Sequence, residues 1–393
     1  MTNQHSFSLI EDEKGLQEFI GANKNVEWIA FDTEFIGERR YFTLLCLIQI
    51  ATENGNYLID SIKIKDISPI LDMIENPDIL KITHAGENDY KVLNLLYNII
   101  PRNVFDTQKG AGFIGYGYPI SYGKILFEEL KVRISKGYAV ADWESRPIPS
   151  KLLDYALKDV IYLRELYFKI QGKIDAGGKG EWYKSEMLTW EEADYYEISA
   201  YKEAMGTDLF FNLNKTEKLF HLRLLGWRLD EAHRLDESKQ QIISNKIVTQ
   251  IVKNIGKGKD SLLQSRIIPS KIIHKNWKKF NELQQKQISD LERDFIINVP
   301  DKKLDTAEED FNIQILDFII KKRCIDFEIA SSMVLSKADI KNFRKGVITE
   351  RSKNLESGWK SKMLGEEIIQ WIKYIGTIKM EMIDGKCVLS IDG

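Results

Sequence analysis

The sequence predicts a mixed α/β domain in the N-terminal half of the chain, followed by all-helical units. Three observations support this prediction. Short apolar runs of strand length lie close together near the start, helical patterns then alternate with further short runs, and no confident strand follows residue 212. Strands that form a meander and then alternate with helices are typical of a mixed sheet covered by helices.

The first strands form the meander. Residues 26–33 and 44–51 are apolar runs joined by a charged turn around residues 37–40, and a short Asn and Gly turn leads to a third run at residues 56–60. Runs of this length, bounded by turn residues, are typical of strands. We therefore predict a three-stranded meander.

Helices and strands alternate after the meander. The spacing of apolar residues predicts a helix near residues 66–75, a strand at 80–84 and a helix over 89–96. A short strand at 103–106 follows, and then a mostly helical stretch that reaches about residue 172. These elements complete the predicted α/β domain.

The division into domains rests on breakers in the pattern. Gly177 to Gly180 is the clearest breaker, but aromatic-rich helical sequence follows it, so we place the first boundary near Asn212. The predicted domains are an α/β domain over residues 1–212, a helical unit over 213–292 and a second helical unit with a C-terminal tail over 293–393.

The distribution of charge singles out the first helical unit. Residues 215–286 contain 16 Lys and Arg against 7 Asp and Glu, whereas the whole chain has a formal net charge of −3. A local basic excess is expected where a protein contacts phosphates, although a solvated, lysine-rich bundle would have the same composition. The final segment, residues 376–393, fits either a terminal hairpin strand or a loose tail.

Composition excludes several classes of protein. The three cysteines, Cys46, Cys324 and Cys387, are too few and too scattered for a disulfide framework or a Cys-x-x-Cys zinc site. No segment approaches about 20 consecutive apolar residues, and the first residues lack the pattern of an export signal. We therefore expect a cytoplasmic protein that does not bind membranes.

Two carboxylates stand close together at the end of the first predicted strand. Asp32 and Glu34 are two residues apart, so the alternation of a strand places both side chains on one face. Close anions repel one another unless a cation lies between them. Alone, the pair also fits a strand that runs into a solvated acidic turn.

Further acids follow at two places in the chain. Asp89 lies where a strand ends and a helix begins, a position at which an acid can also cap the helix. Tyr155 and Asp159 are four residues apart in a helical pattern, so the phenol and the carboxylate share one face. An amphipathic helix with one polar edge has the same spacing.

Together, these segments resemble the three exonuclease motifs of the DEDD superfamily in its tyrosine-bearing form, and the surrounding sequence resembles the ribonuclease D family. The matching stretches are Asp32-Thr33-Glu34-Phe35, His84-Ala85-Gly86-x-x-Asp89 and Tyr155-Ala156-x-x-Asp159-Val160, with supporting matches at Leu45 to Ala51, Phe105 to Gln108 and Asp142 to Pro147. This many ordered matches are hard to obtain by chance.

The resemblance continues beyond the motifs. Residues about 214–290 are similar to the helical HRDC domain, and Glu356 to Glu366 resembles part of a second such domain. The turn at residues 37–43 and Ala141 depart from the family's pattern. These departures leave open whether the family's substrate contacts at that turn apply here.

The resemblance implies a ribonuclease H-like mixed sheet, HRDC-like helical bundles and a site for two divalent ions, Mg²⁺ or Mn²⁺. Carboxylates without Cys or His suit such hard cations, and two ions about 3.5–4 Å apart can catalyse phosphodiester hydrolysis. We assign Asp32, Glu34 and Asp159 to one ion, with Asp32 bridging to a second ion that Asp89 holds through water. Tyr155 would orient the attacking water, because a phenol with a pKa of about 10 is a poor base.

A competing motif lies at Gly110 to Gly115, which formally fits the G-x-G-x-x-G loop that binds dinucleotides. Its strand lies in the middle of the domain, and no clear second strand follows at the required distance. The five histidines are dispersed, and His84 fits a structural position at a strand end. The sequence therefore favours neither dinucleotide binding nor zinc chemistry nor a hydrolytic triad.

The resulting hypothesis is a monomeric, metal-dependent 3′→5′ exoribonuclease. By resemblance it would trim the 3′ ends of tRNA precursors and other small structured RNAs and release nucleoside 5′-monophosphates. The basic unit would hold the RNA while its single-stranded 3′ end enters the acidic site. Two alternatives stay open. One is a DNA exonuclease of the same superfamily, since the motifs indicate phosphodiester cleavage but not recognition of a 2′-hydroxyl. The other is a non-catalytic RNA-binding scaffold.

Overall fold

A computed structural model describes residues 6–134, 141–299, 306–344, 346–349, 351–373, 377–383 and 386–392. Within these residues, an α/β domain precedes two helical units, which confirms the predicted fold class. The described helices include none with both the length and the apolar character needed to cross a bilayer.

The α/β domain is built on a six-stranded sheet with the strand order β1-β4-β3-β2-β5-β6. The strands are β1 (Ser8–Ile10), β2 (Trp28–Ile36), β3 (Leu44–Thr52), β4 (Gly55–Ile59), β5 (Leu80–Thr83) and β6 (Val104–Asp106). Strands β2, β3 and β4 form the predicted antiparallel meander. Parallel pairs join β1 to β4, β5 to β2 and β6 to β5. The sequence did not predict β1, because three residues are too few to show a period.

Helices connect and cover the strands. They are α1 (Glu13–Asn23), α2 (Ser68–Glu75), α3 (Glu87–Tyr97), α4 (Thr107–Phe113), α5 (Tyr122–Leu130), α6 (Ser150–Ile161), α7 (Leu163–Ala176), α8 (Gly180–Met187) and α9 (Ala193–Tyr196), with a 3₁₀ turn at Leu188–Glu191. Phe31 and Ile50 point to the face covered by α1, α2 and α3. Ala30 and Leu47 point to the opposite face, which α6 covers. The residues of β3 are almost all buried because helices lie on both of its sides.

The first helical unit has an apolar core of its own. Its helices are α10 (Ala200–Met205), α11 (Asp208–Phe211), α12 (Lys215–Leu235), α13 (Lys239–Ile242), α14 (Asn245–Asn254), α15 (Lys259–Leu263), α16 (Ser270–Gln285) and α17 (Asp290–Asn298), with a 3₁₀ turn at Ile255–Lys257. This core includes Ala204 and Phe210, so packing of the unit begins before Asn212. The domain boundaries and the HRDC assignment stay predictions.

The second helical unit packs directly against the α/β domain. Its elements are α18 (Ala307–Asp326), a 3₁₀ turn (Ser331–Met333), α19 (Lys337–Arg344), α20 (Trp359–Leu364), α21 (Glu366–Lys373) and a terminal hairpin of β7 (Thr377–Ile383) and β8 (Lys386–Asp392). The Trp359 ring lies 4.9 Å from that of Phe113, and the Trp359 indole N–H donates to Glu186. Apolar residues of this unit thus continue the core of the sheet domain.

The glycine-rich stretch at residues 110–115 lies mostly in a helix, so it does not form the loop that its motif would require. A Cβ on Gly110 would lie 2.7 Å from the Ile170 side chain, and one on Gly112 would overlap the Met333 sulfur. The glycines therefore permit close packing of α4 against α7 and against the second helical unit. This packing explains the motif without a nucleotide.

The turn after β2 contacts the first helical unit. The Phe42 amide donates to the Asp236 carboxylate at 2.8 Å, and the Ser238 amide donates to the Arg39 carbonyl at 3.1 Å. The ring of His233 lies 5.0 Å from that of Phe42. The C-terminal end of α12 is therefore fixed close to the strand that carries Asp32 and Glu34.

Candidate active site

Asp32 and Glu34 lie near the end of β2 and share the face that α6 covers. From α6, Asp159 projects toward them, and ligand oxygens of the three carboxylates lie within 4.8 Å of one another. Each of the three keeps part of its surface open to solvent. The structure thus brings together three of the four acids that the sequence predicts.

Asp89 lies in the first turn of α3, which begins at Glu87 after the N-cap residue Gly86. Asp89 is therefore not the N-cap residue, but its carboxylate accepts a hydrogen bond from its own backbone amide in the first turn of the helix. Its carboxylate also accepts a hydrogen bond from the Thr33 hydroxyl, and its negative charge raises the pKa of Asp32. We call Asp32, Glu34, Asp89 and Asp159 the acid cluster.

The acids of the cluster destabilise one another's charged forms. Burial raises the pKa of Glu34 to about 8, and the charges of Asp159 and Asp89 add to the rise. Burial, followed by the charge of Asp89, raises the pKa of Asp32 well above its ordinary value. Burial also raises the pKa values of Asp89 and Asp159. Carboxylates held this close are stabilised as anions when a cation lies among them.

The donor set fits a hard divalent cation. The converging side chains are all carboxylates, and oxygen ligands of this kind are those that Mg²⁺ and Mn²⁺ prefer. His84 is not among them, because its ring nitrogens contact the Thr107 hydroxyl at 2.9 Å and the Ile120 carbonyl at 3.0 Å. The structural role predicted for His84 agrees with these contacts.

Tyr155 lies one helical turn before Asp159 and forms a hydrogen bond with its carboxylate. Burial, together with the charge of Asp159, raises the pKa of the Tyr155 phenol. The phenol therefore keeps its proton at neutral pH and acts as a donor. Trp143, whose ring centroid lies 6.3 Å away, packs beside Tyr155.

Asp106 holds the turn that carries Asp89. Its carboxylate accepts from the Gly86 amide at 2.9 Å and from the Lys109 amide at 2.8 Å, so one side chain joins two helix starts. A Cβ at Gly86 would lie 2.7 Å from the Thr83 hydroxyl, which leaves room for glycine alone. Sequence reasoning noted Asp106 as a family match without assigning this role.

Arg146 anchors the segment before α6. Its guanidinium donates to both oxygens of the buried Asp60, at 2.6 and 2.8 Å, and to the carbonyls of Cys46 and Trp143. A bidentate pair of this kind fixes orientation as well as distance. The signal for this role was the Asp-Trp-x-x-Arg-Pro match, but its partner Asp60 lies 86 residues away.

Known proteins resemble this chain in sequence. A protein-family model described as "3′-5′ exonuclease" matches residues 7–175. Ribonuclease D of Bartonella henselae is 28% identical over 390 residues, covering 96% of this chain and 92% of the relative. Ribonuclease D of Sphingobium indicum is 27% identical over 379 residues, covering 93% and 94%.

Solved structures show the same fold. The crystal structure of Escherichia coli RNase D, "an exoribonuclease involved in structured RNA processing", matches with a TM-score of 0.80 at 22% identity, covering 94% of this chain and 99% of that one. The catalytic core of RRP6 from Trypanosoma brucei matches with a TM-score of 0.55 at 20% identity, covering 72% and 80%. The predicted recognition is confirmed as a similarity: residues 7–175 match the 3′-5′ exonuclease model, and the chain is similar to ribonuclease D proteins along nearly its whole length.

Proposed function

We propose that this protein is a metal-dependent 3′→5′ exoribonuclease that trims the 3′ ends of tRNA precursors and other small structured RNAs. The observation that carries the proposal is the acid cluster, in which three carboxylates converge within 4.8 Å beside Asp89 and Tyr155. The curated relatives that match most of the chain are named ribonuclease D. Nucleoside 5′-monophosphates would be the products.

The side chains of the cluster have distinct tasks in this proposal. Asp32, Glu34 and Asp159 would hold one divalent ion, Mg²⁺ or Mn²⁺, and Asp32 and Asp89 would hold a second. When bound, such ions supply the Lewis acidity that activates water and stabilises the leaving 3′-oxygen. Tyr155 stays protonated, so its hydroxyl orients Asp159 and the attacking water by hydrogen bonding rather than by accepting the proton.

The first helical unit supplies a surface for RNA near the cluster. Lys275 and Lys279 are exposed on α16 one turn apart, and both act electrostatically on Glu231 of α12. Glu231 lies two residues before His233, which contacts the turn that follows β2. We call Lys275 and Lys279 the lysine pair, and we propose that they contact RNA phosphates upstream of the reacting 3′ end.

The test is a time course with 5′-labelled single-stranded RNA and DNA of identical sequence, each with Mg²⁺, Mn²⁺ or chelator. We expect stepwise shortening of RNA that requires metal and falls at least about 100-fold in Asp159→Asn, because even outer-shell changes cost 10–100-fold at metal sites. Asp154→Asn, an exposed change on the same helix, is the control and should keep full activity.

Other outcomes select the alternatives. Degradation of DNA at a rate equal to or faster than that of RNA would indicate a DNA exonuclease. RNA binding without shortening would indicate a scaffold. Activity that persists in Asp159→Asn would contradict the assignment of the acid cluster.

A further inference from the structure

Gln49 is a buried polar residue whose side chain has no hydrogen-bond partner among the described residues. It lies in the middle of β3 and is 0% exposed, and neither its amide nitrogen nor its amide oxygen is bonded. A primary amide has two donor hydrogens and two acceptor sites. Leaving such a group unsatisfied in the interior destabilises the folded protein.

Gln49 stands directly beside the acid cluster. In the sheet it pairs with Asp32 of β2 on one side and with Leu58 of β4 on the other. Residues that pair across antiparallel strands point to the same face, with Cβ atoms about 4.5–5.5 Å apart. Leu58 offers nothing to the amide, whereas the Asp32 carboxylate is a hydrogen-bond acceptor.

The nearest residues on the same face of β3 and β4 are apolar. Leu47 and Leu58 belong to the cluster of buried residues that α6 covers, and Ala51 belongs to the neighbouring one. An apolar residue of similar volume would satisfy this packing without an unmade hydrogen bond. Packing alone therefore does not explain an amide at this position.

We propose that Gln49 is a positioning residue for Asp32, whose carboxylate accepts a hydrogen bond from the Gln49 amide when a divalent cation is bound. The bond would occupy the part of the carboxylate turned away from the cation and hold its orientation. Groups that bond to metal ligands in this way commonly set the orientation and basicity of the ligand. This inference rests on the proposed function, because it assumes that the acid cluster binds metal.

The experiment measures metal binding rather than catalysis. Gln49→Met and Gln49→Leu keep the approximate volume and remove the amide, and Leu58→Met is a matched change on the other side of the same row. Mn²⁺ affinity is measured by titration calorimetry, and the melting temperature Tm is measured in chelator. We expect both Gln49 variants to bind Mn²⁺ about 10–100-fold more weakly, with a Tm in chelator equal to or above that of the wild type. Leu58→Met should bind Mn²⁺ as the wild type does.

Each contrary result is decisive. Wild-type Mn²⁺ affinity in the Gln49 variants overturns the inference and leaves the proposed function intact. A lower Tm in chelator for both variants shows that the amide serves the fold alone, which also overturns it. A wild-type protein that binds no Mn²⁺ overturns the proposed function, and this inference with it.

Discussion

At the scale of single residues, protonation of Glu34 makes the stability of the folded protein depend on pH. Its pKa of about 8 exceeds the value of about 4.3 expected for an unfolded chain, and burial is the main cause. Between these two values the folded protein keeps a proton that the unfolded chain has released. In the absence of metal, the free energy of unfolding therefore falls as pH rises through this window.

Glu34→Gln should remove this loss of stability at high pH. In chelator, the Tm of the variant should rise relative to the wild type as pH increases from about 5 to 9, because the neutral amide has no proton to lose. Added Mn²⁺ should stabilise the wild type but not the variant. Melting curves at pH 5, 7 and 9 test this, with Glu27→Gln, an exposed change before β2, as control.

Metal binding should follow the same titration. Because a cation must displace the proton on Glu34, its apparent affinity and the exonuclease rate should both increase as pH rises toward about 8. A rate that falls over this range at a fixed, subsaturating metal concentration would contradict the raised pKa of Glu34.

Helix α4 shows how an element can carry a misleading motif. Its glycines match a nucleotide-binding spacing, yet α4 is packed so closely on α7 that a side chain has no room. At this scale, local spacing alone cannot distinguish a phosphate loop from a helix contact. The neighbouring helix decides between them.

Gly110→Ala should destabilise the protein by about 1–3 kcal/mol, because the new Cβ would lie 2.7 Å from the Ile170 side chain and 3.2 Å from the Phe105 ring. Gly172→Ala on α7 is the matched control, since no atom of the described residues outside the helix's own turns lies within 4 Å of its new Cβ. That control should be neutral or gain up to about 1 kcal/mol from helix propensity. Urea denaturation measures both, and equal effects would refute the packing explanation.

Helix α16 provides the electrostatic part of the proposed RNA contact. Replacing the lysine pair by Gln should weaken RNA binding, and the slope of log affinity against log salt should fall by about 0.7 for each phosphate that the variant no longer neutralises. Lys24→Gln with Lys65→Gln, which changes two exposed lysines of the α/β domain, is the control. An unchanged slope in the α16 variant would place the RNA elsewhere.

At the scale of the whole molecule, one apolar core spans two of the three units and another lies within a single unit. The first helical unit has a core of its own, whereas the second helical unit shares the core of the sheet domain. At the contact between the second helical unit and the sheet domain, the ring of Trp359 packs against those of Phe113 and Trp182. The second helical unit therefore supports the domain that carries the acid cluster.

Trp359→Ala should destabilise the α/β domain by about 3–5 kcal/mol, because it removes a buried indole and its hydrogen bond to Glu186. Hydrogen exchange of the β2 amides should speed up in the variant, since opening of the shared core exposes the sheet. Trp277→Ala, in the separate core of the first helical unit, should leave β2 protection unchanged. Equal protection in both variants would show that the cores are not divided in this way.

The sequence by itself determined most strands of the main sheet and which candidate site residues share a face. Apolar runs revealed five of the six sheet strands, and the two-residue spacing of Asp32 and Glu34 placed both on one face. The four-residue spacing of Tyr155 and Asp159 likewise predicted their shared helix face. These inferences succeed because strand and helix periods are local properties of the chain.

Only the tertiary structure decided how those elements support the acid cluster. The Thr33 hydroxyl that bonds Asp89 is 56 residues away in sequence, and Asp60, the partner of Arg146, is 86 residues from it. No local sequence pattern indicates that the amide of Gln49 is buried without a hydrogen bond. None indicates that the second helical unit shares the core of the sheet domain. Contacts between distant segments depend on the packing of the whole chain, which a local period does not contain.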